Sequence, residues 1–373
     1  MGPSTDNVPG RGSAGSMELG RFRGALNQSL RVFFLDALRV ALLNPAQAYS
    51  FFRTVLWQRK AARVRQRWVS EGVQVPPITI FSVTRRCNLE CKGCYSKALH
   101  GTSDPEMNGE KVRSIVEEAT ELGVSFFVLA GGEPFIRPEI LDITSEFPQV
   151  LFLVFTNGLL IDESVMAGLK KQRNVVPLLS IDGNEDMTDE RRGPGTYRRV
   201  RDIFGELRRR KIFFGASLTM TRMNFDTLTN EAFIREIADA GCRFFLFLEY
   251  TPAEEGTEDW IPTAHQRSGV MRLMEEFHSK FRALFIAVPA HEEDVGGCLA
   301  AGRGFVHINA SGDVEPCPFA PWSDSNLQKV SLKEALGSTF LRTLREHPEN
   351  LRETGGGCAL WTRREWVQSL LEE

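Results

Sequence analysis

The sequence lacks several features that would assign it to a specialised class of protein. Its 45 Lys and Arg residues nearly balance its 48 Asp and Glu residues, and the net charge of -3 gives no reason to expect nucleic acid as a partner. Its most apolar run, Leu30–Leu43, contains Arg31, Asp36 and Arg39, so it is too short and too charged to cross a bilayer. No secretory signal peptide is visible. We therefore expect a cytoplasmic protein of ordinary composition.

The cysteines do not form the pattern of a secreted disulfide framework, because they are few for the length and odd in number. Three of the seven, Cys87, Cys91 and Cys94, follow the spacing C-x3-C-x2-C. Thiolates are soft ligands that suit iron–sulfur clusters and zinc. A structural zinc site closes four ligands, and the nearest further candidate, His100, is badly spaced. The triplet therefore favours an iron–sulfur cluster with one open iron over zinc.

A second motif lies about 40 residues further on. An apolar strand, Phe126–Ala130, is predicted to end at Gly131-Gly132-Glu133-Pro134. Glycines at the end of a strand let the backbone approach a ligand closely, and an exposed backbone edge can receive an ammonium group. A lone Gly-Gly-Glu-Pro can also be a simple turn. Tyr95, directly after the third cysteine, offers an aromatic ring that can lie against an adenine.

Together, these motifs closely resemble those of the radical S-adenosylmethionine (radical SAM) enzymes. The resemblance implies that the cysteine triplet binds a [4Fe-4S] cluster and that the amine and carboxylate of SAM chelate the open iron. It also implies reductive cleavage of SAM to a 5′-deoxyadenosyl radical, which abstracts a substrate hydrogen. A low-potential electron donor such as flavodoxin or ferredoxin is expected as a partner.

The chain alternates between predicted strands and helices. The predicted strands cover residues 78–84, 125–130, 150–156, 175–181, 212–220 and 243–250, with helices at 109–122, 138–146, 162–172, 197–210 and 227–240. Such alternation predicts a parallel sheet. Six units fall short of a closed eight-stranded barrel and match the partial (β/α)6 barrel of the resembled family, an α/β fold. Ligands should bind at the carboxyl ends of the strands.

Polar residues at these strand ends resemble the SAM contacts of the family. Asn157 follows the third strand, and Ser180 and Asp182 close the fourth. Asn-Gly and Asp-Gly also favour turns, so a purely structural role stays open. Arg192 resembles an arginine that reaches the SAM carboxylate, but an ordinary solvated loop arginine is an equal alternative.

The C-terminal region carries three further cysteines. Cys298 and Cys317 bracket Gly312 as C-x13-G-x4-C around a predicted hairpin, and Cys358 follows 40 residues later. This looks like the SPASM or twitch extension of radical SAM enzymes and implies that the three cysteines bind one auxiliary iron–sulfur cluster, [4Fe-4S] in type. The full SPASM pattern has seven cysteines there, so a second auxiliary cluster is not expected. The fourth ligand stays open between a substrate group, His307, a carboxylate or nothing, and Cys358 could instead be a buried thiol.

We expect four segments along the chain. Residues 1–16 read as a tag or disordered leader, 17–75 as a helical element, 76–288 as the radical SAM core and 289–373 as the auxiliary-cluster domain. The helical element has an apolar run followed by a second helix with a basic end. It is either a hairpin packed on the barrel with a solvated basic end, or a peripheral contact with an anionic membrane face.

The substrate remains open between classes. SPASM and twitch relatives often modify ribosomally synthesised peptides, which makes peptide modification the first hypothesis. An apolar small molecule or a lipid is the second, and a non-catalytic iron–sulfur or zinc protein is the third. Glu249 and Tyr250, at the end of the sixth predicted strand, are the candidate substrate contacts. Their alternative roles are a salt-bridged rim carboxylate and a packed ring.

Overall fold

The fold is built around one sheet of nine strands. The computed structural model describes residues 11–42, 44–101, 104–289, 297–352 and 358–372. Within them the strands are Ile78–Thr84 (β1), Phe126–Gly131 (β2), Leu151–Thr156 (β3), Val175–Ser180 (β4), Gly215–Met220 (β5), Phe244–Glu249 (β6), Leu284–Val288 (β7), Phe305–Ile308 (β8) and Val314–Glu315 (β9). Their order across the sheet is β7-β6-β5-β4-β3-β2-β1-β8-β9. Every neighbouring pair is parallel except the hairpin β8–β9.

Helices connect most of these strands, as expected for parallel neighbours. The described α-helices, α1 to α16, are Arg11–Ala41, Pro45–Ser70, Tyr95–Leu99, Gly109–Leu122, Glu139–Ser145, Glu163–Lys171, Glu185–Arg192, Thr196–Arg209, Phe225–Leu228, Glu231–Asp239, Ala264–Ser268, Val270–Lys280, Leu332–Leu336, Thr339–Glu346, Ala359–Thr362 and Arg364–Ser369. Short 3-10 turns occur at Pro134–Ile136, Glu258–Trp260 and Pro348–Leu351. None of the helices that the structure describes is long and apolar enough to cross a membrane.

The two faces of the sheet pack against different partners because successive strand residues point to opposite sides. The outer face, with Phe127 and Phe152 fully buried, packs against the connecting helices. The inner face carries a separate apolar cluster that includes Phe126, Leu178 and Phe244. This division assigns each later strand residue to the helix side or to the interior of the partial barrel.

The N-terminal helices α1 and α2 cover the lower part of the inner face. Phe34 of α1 and Phe51 of α2 are both nearly inaccessible to solvent and belong to the inner-face cluster. The turn between the helices ends at Asn44, whose side chain accepts a hydrogen bond from the Gln47 backbone. Arg65 of α2 donates to the Gly123 carbonyl at 2.6 Å. One of the two expected arrangements, the packed hairpin, is therefore present.

The structure differs from the sequence expectations at three places. The helix α1 begins at Arg11, inside the segment expected to be a tag or leader, whose first ten residues lie outside the described ones. A seventh parallel strand, β7, extends the sheet beyond the six predicted strands. The C-terminal hairpin joins the barrel sheet itself, because β8 pairs in parallel with β1.

Candidate active site

The loop between β1 and α3 brings three thiols together. Cys87 is exposed, and Cys91 and Cys94 are half-buried, with Cys94 directly preceding α3. Burial raises the pKa of Cys87, and the nearby Cys91 and Cys94 thiols raise it further. None of these three cysteines is in a disulfide. Three neighbouring thiols on one loop form a donor set that fits an iron–sulfur cluster with three protein ligands.

A zinc site would need a fourth ligand from the same region. The sequence candidate, His100, is buried on the other side of α3, where its Nε2 lies 2.9 Å from the Pro318 carbonyl oxygen. Its Nδ1 lies 3.9 Å from the Glu315 carboxylate. Both ring nitrogens therefore face the C-terminal region, and His100 does not complete a tetrahedral set with the loop thiols.

Gly131 and Gly132 allow the end of β2 to lie against the backbone of the cysteine loop. A Cβ at Gly131 would be 2.1 Å from the Thr84 carbonyl oxygen, and one at Gly132 would be 2.1 Å from that of Arg86. The Gly132 backbone donates to the Thr84 carbonyl at 2.7 Å. These glycines are thus required by the close approach of two backbone segments. Their contact with the SAM amine stays a prediction.

Glu133 ties the ends of two strands together beneath the cysteine loop. Its carboxylate accepts hydrogen bonds from the Asn157 backbone at 2.7 Å, the Thr156 hydroxyl at 2.8 Å and the Phe135 backbone at 3.1 Å. Burial raises its pKa, against the effect of these donors. With both oxygens engaged, Glu133 organises the backbone that follows β2 and β3.

Asn157 and Ser180 stand at neighbouring strand ends. The Asn157 amide nitrogen donates to Asn88 of the cysteine loop at 2.8 Å and lies 3.9 Å from the Cys87 sulfur. Ser180 ends β4 and is half-buried, and alternation with the inner-face residue Leu178 places it on the interior side. Both positions are compatible with the predicted SAM contacts, which stay predictions.

Asp182 is clasped by two arginines from α7. Arg191 Nη1 donates to its carboxylate at 2.7 Å and Arg192 Nε at 2.5 Å, and all three side chains are at most 14% exposed. Burial opposes ionisation of Asp182, but the two guanidinium charges outweigh it and lower the pKa of the carboxyl. Burial raises the pKa of Cys91, and the same two charges partly oppose that rise. Asp182 therefore holds the Arg191 and Arg192 guanidinium groups beside the cysteine loop. The sequence analysis considered Arg192 alone and so missed Arg191.

Tyr95 lies between the two cysteine-containing regions. Its ring centroid is 4.9 Å from that of Phe319, two residues after Cys317. Burial raises the pKa of Tyr95, with smaller contributions from Cys94 and Cys317. The aromatic ring thus faces the C-terminal region, and its contact with adenine stays a prediction.

The C-terminal cysteines also come together. A hydrogen bond joins Cys317 to Cys358, and this bond, burial and the nearby thiol of Cys298 raise the pKa of Cys317. None of the three is in a disulfide. Cys242, by contrast, is fully buried two residues before β6 and is a core thiol. The clustered set fits a second metal-binding donor group.

Glu249 and Tyr250 have structural partners. Alternation with Phe245 and Phe247 puts Glu249 on the helix-facing side of β6, where Arg267 lies 3.2 Å from its carboxylate. Tyr250 is 2% exposed and donates to the Thr257 hydroxyl at 2.8 Å. These contacts match the alternative roles given for both residues, and their contact with substrate stays a prediction.

A buried polar network that sequence reasoning did not assemble lies beside the cysteine loop. His307 of β8 is bonded through Nε2 to the Ser82 hydroxyl at 2.7 Å and through Nδ1 to the Glu315 carboxyl at 2.6 Å. Burial lowers the pKa of His307 to about 3 and raises that of Glu315 to about 8. Because both ring nitrogens have partners, His307 is not positioned as the fourth ligand of the predicted auxiliary cluster, a role that the sequence had left open.

This network forms part of a cavity of about 310 Å³ between the cysteine loop and the C-terminal hairpin. Its walls come from both sides: Ser82, Thr84, Arg85, Ser96, Leu99, His100, Asn309, Ala310, Asp313, Glu315, Pro321, Trp322, Ser323 and Leu371. The Arg85 guanidinium donates to the Ser311 hydroxyl and joins the two sides. The sequence feature that could have indicated this polar network is that two polar residues, His307 and Glu315, lie within short apolar strands.

The comparisons with known proteins agree with this site. The sequence model of the radical SAM superfamily matches residues 81–240, which include the cysteine triplet and Asp182. An AdoMet-dependent heme synthase of Methanosarcina barkeri is 25% identical, covering 76% of this chain and 88% of that protein. Mycofactocin maturase MftC of Mycolicibacterium smegmatis is 28% identical over 77% of this chain and 76% of its own length. The subtilosin biosynthesis protein AlbA of Bacillus subtilis is 26% identical, covering 74% of this chain and 62% of that protein.

Solved structures share the fold. Streptococcus suis SuiB bound to its precursor peptide SuiA superposes with a TM-score of 0.62 at 16% identity, over 80% of this chain and 72% of that one. The enzyme anSMEcpe with bound AdoMet gives a TM-score of 0.58 at 16% identity, over 80% of this chain and 98% of that one. The chain therefore carries a domain of the radical SAM superfamily of enzymes over residues 81–240. Its cofactors are S-adenosylmethionine and an iron–sulfur cluster, and the third hypothesis, a non-catalytic protein, is not retained.

Proposed function

We propose that this enzyme modifies a peptide by abstracting a hydrogen atom from a residue held in the cavity beside the cysteine loop. The observation that carries the proposal is the cavity itself, whose walls combine the loop that follows β1 with the C-terminal hairpin. The Ser96 hydroxyl and the Asp313 carboxylate can pair with the amide groups of an extended chain. Trp322 and Leu99 offer apolar contact to a side chain.

The names of several relatives support a peptide substrate. AlbA is named for biosynthesis of the bacteriocin subtilosin, and MftC is a mycofactocin maturase. SuiB has been crystallised with a precursor peptide. The cavity volume, about 310 Å³, is at the small end of the range for ligand pockets and suits one or two residues of a peptide.

The residues of this chain have separate tasks in the proposed reaction. Cys87, Cys91 and Cys94 would hold the cluster, and Arg192, fixed by Asp182, would pair with the SAM carboxylate. When bound, SAM and the reduced cluster supply a radical that removes a hydrogen atom from the substrate. Further contacts with SAM are proposed for Tyr95, Gly131, Gly132, Glu133, Asn157 and Ser180. A ferredoxin or flavodoxin delivers the electron.

The C-terminal cysteines bind one auxiliary [4Fe-4S] cluster in this proposal. Its support is the thiol set of Cys298, Cys317 and Cys358, gathered without a disulfide. When bound, the cluster would either accept the electron left after the substrate radical loses a proton, so that the substrate is oxidised overall, or hold the C-terminal region in place.

A second candidate substrate is an apolar small molecule. It is favoured by the AdoMet-dependent heme synthase relative, to which the similarity extends over 88% of that protein. A macrocycle needs a larger opening than the cavity described here, so this candidate requires the two walls to separate.

The test is anaerobic incubation of the reconstituted, reduced enzyme with SAM and short peptides encoded beside its gene, followed by mass spectrometry. We expect a mass change in one peptide and formation of 5′-deoxyadenosine, both lost in Cys94→Ala. Trp322→Ala should raise the peptide KM about tenfold and spare uncoupled SAM cleavage, whereas Trp361→Ala, outside the cavity, should change neither. Deoxyadenosine without any altered peptide, together with turnover of an added porphyrin or lipid, would favour the second candidate.

A further inference from the structure

The outward face of the helical hairpin exposes an unusual amount of apolar surface. The described part of the chain has nine large apolar residues that are clearly exposed, of which five lie on α1 and α2 and a sixth, Leu42, directly follows α1. Their exposed fractions range from 47% to 64%. These six are Val32, Leu35, Leu42, Tyr49, Phe52 and Leu56. Apolar side chains scattered over a surface are ordinary, but such a concentration marks an interaction site.

The helix α2 separates its two faces cleanly. At 3.6 residues per turn, one side carries Phe51, Thr54, Ala61 and Arg65, all buried against the barrel. The opposite side carries the exposed apolar residues first and then a basic stretch. In order along the helix it presents Tyr49, Phe52, Leu56, Arg59, Lys60, Arg63 and Arg67.

The exposed apolar residues of the two helices lie at matching heights along the hairpin. Leu35 lies nine residues before Asn44 and Phe52 eight residues after it, while Val32 and Leu56 are both twelve residues away. With a rise of about 1.5 Å per residue in each antiparallel helix, the members of each pair stand at the same height above the turn. The exposed apolar residues therefore extend about 18 Å from the turn before the basic stretch begins.

The charge of the hairpin opposes that of the rest of the chain. Residues 30–70 contain eight Lys or Arg residues and one acidic residue, Asp36, so this segment carries +7 in a chain whose total is -3. Among the residues that the structure describes, no carboxylate forms an ion pair with Arg59, Lys60, Arg63 or Arg67. Their positive charge is available to an external partner.

We propose that this face binds the surface of an anionic phospholipid bilayer. The apolar residues would enter the boundary between headgroups and acyl chains, and the cations would meet the lipid phosphates, as in interfacial amphipathic helices. A second copy of the chain is a poorer occupant, because two such faces would bring like charges together. The binding does not depend on the substrate of the enzyme, so it stands or falls separately from the proposed function.

The test uses the full chain and vesicles of equal parts phosphatidylglycerol and phosphatidylcholine, with pure phosphatidylcholine vesicles alongside. In a flotation assay we expect binding to the anionic vesicles, weakened by salt, and little binding to the neutral ones. Phe52→Glu/Leu56→Glu and Lys60→Ala/Arg63→Ala should each weaken binding about tenfold or more. Met223→Glu, an exposed apolar residue elsewhere, is the matched control and should bind like the unaltered chain.

Thermal unfolding and iron content serve to check that the variants are folded. We expect them to be, since all the altered side chains are exposed. Equal and negligible binding of the unaltered chain to both vesicles would overturn the proposal. So would a dimer in light scattering that dissociates in Phe52→Glu/Leu56→Glu without any vesicle binding, because the face would then be a contact between copies. Binding to an acidic protein but to neither vesicle would also overturn it.

Discussion

Replacing Asp182 by Ala should weaken both the fold and the site, because Asp182 neutralises two buried guanidinium groups. The carboxylate receives hydrogen bonds from Arg191 at 2.7 Å and Arg192 at 2.5 Å, and it is only 2% exposed. Removing one partner from a buried ionic group costs roughly 3–5 kcal/mol, since the remaining charges stay desolvated. An exposed pair, by contrast, contributes at most about 1 kcal/mol.

This loss translates into a measurable shift in melting temperature. The unfolding entropy is about 2.1 cal/mol/K per residue, so for 373 residues a loss of roughly 3–5 kcal/mol lowers Tm by about 4–6 °C. The pKa of Asp182 is lowered in the folded state, so its contribution is present above the pKa of the unfolded carboxyl and is lost as pH falls through the folded pKa. The full effect is therefore expected at neutral pH.

The assay combines differential scanning calorimetry with uncoupled SAM cleavage, measured as 5′-deoxyadenosine. Asp182→Ala should also raise the KM for SAM, since Arg192 loses the group that orients it. Glu185→Ala, which removes an exposed pair between α7 and Arg198 of α8, is the matched control and should change Tm by about 1 °C or less. An Asp182→Ala enzyme with unchanged Tm and unchanged KM would refute the argument.

Three further predictions follow from other parts of the molecule. Cys358→Ala should lower the iron content, measured by elemental analysis, from about eight to about four atoms per chain. Cys242→Ala is the control and should keep all of its iron. Full iron content in Cys358→Ala would exclude Cys358 as a cluster ligand. Phe34→Ala should cost roughly 3–5 kcal/mol by leaving a cavity on the inner face of the sheet, and an unchanged melting temperature would show that the hairpin is not part of the core. Glu249→Gln should lower stability slightly through the lost ion pair with Arg267 and, if Glu249 contacts the substrate, should suppress product formation while sparing deoxyadenosine; an unchanged ratio of product to deoxyadenosine would count against that contact.

Local patterns in the sequence predict the parallel strands well. β3 and β4 are short apolar runs bounded by polar or glycine-containing turns, and both lie within one residue of the predicted bounds. The helix α4 was predicted with the same bounds, since its Asn108 cap and the following glycine, Gly123, mark both ends. Such signals are contained within a few neighbouring residues, and for this reason they can be read without tertiary information.

The clasp around Asp182 could not be predicted in the same way. Arg191 and Arg192 follow nine and ten residues later, a separation that corresponds to no helix or strand contact. The two arginines reach the Asp182 carboxylate only because α7 begins just after β4 and its C-terminal end lies against the cysteine loop. There the Lys92 backbone donates to the Arg191 carbonyl at 2.9 Å. Sequence reasoning therefore identified Asp182 and Arg192 as candidates but assigned them separately to SAM.

The position of the C-terminal hairpin has the largest consequence for the site. Its two short strands were predicted as part of a separate cluster domain, yet β8 extends the main sheet by pairing with β1, in the register Ile80 to His307. Strand pairing across more than 200 residues leaves no local trace in a sequence, because either partner could equally be an edge strand. Since β1 also delivers the cysteine loop, this one pairing places Ser82 against His307, sets Glu315 beside His100 and forms the wall between the two cysteine groups. Cys298 and Cys317, on either side of the hairpin, are thus connected through β8 to the strand that delivers the cysteine loop, so a substitution that breaks the β1–β8 pairing should disturb both proposed metal sites together.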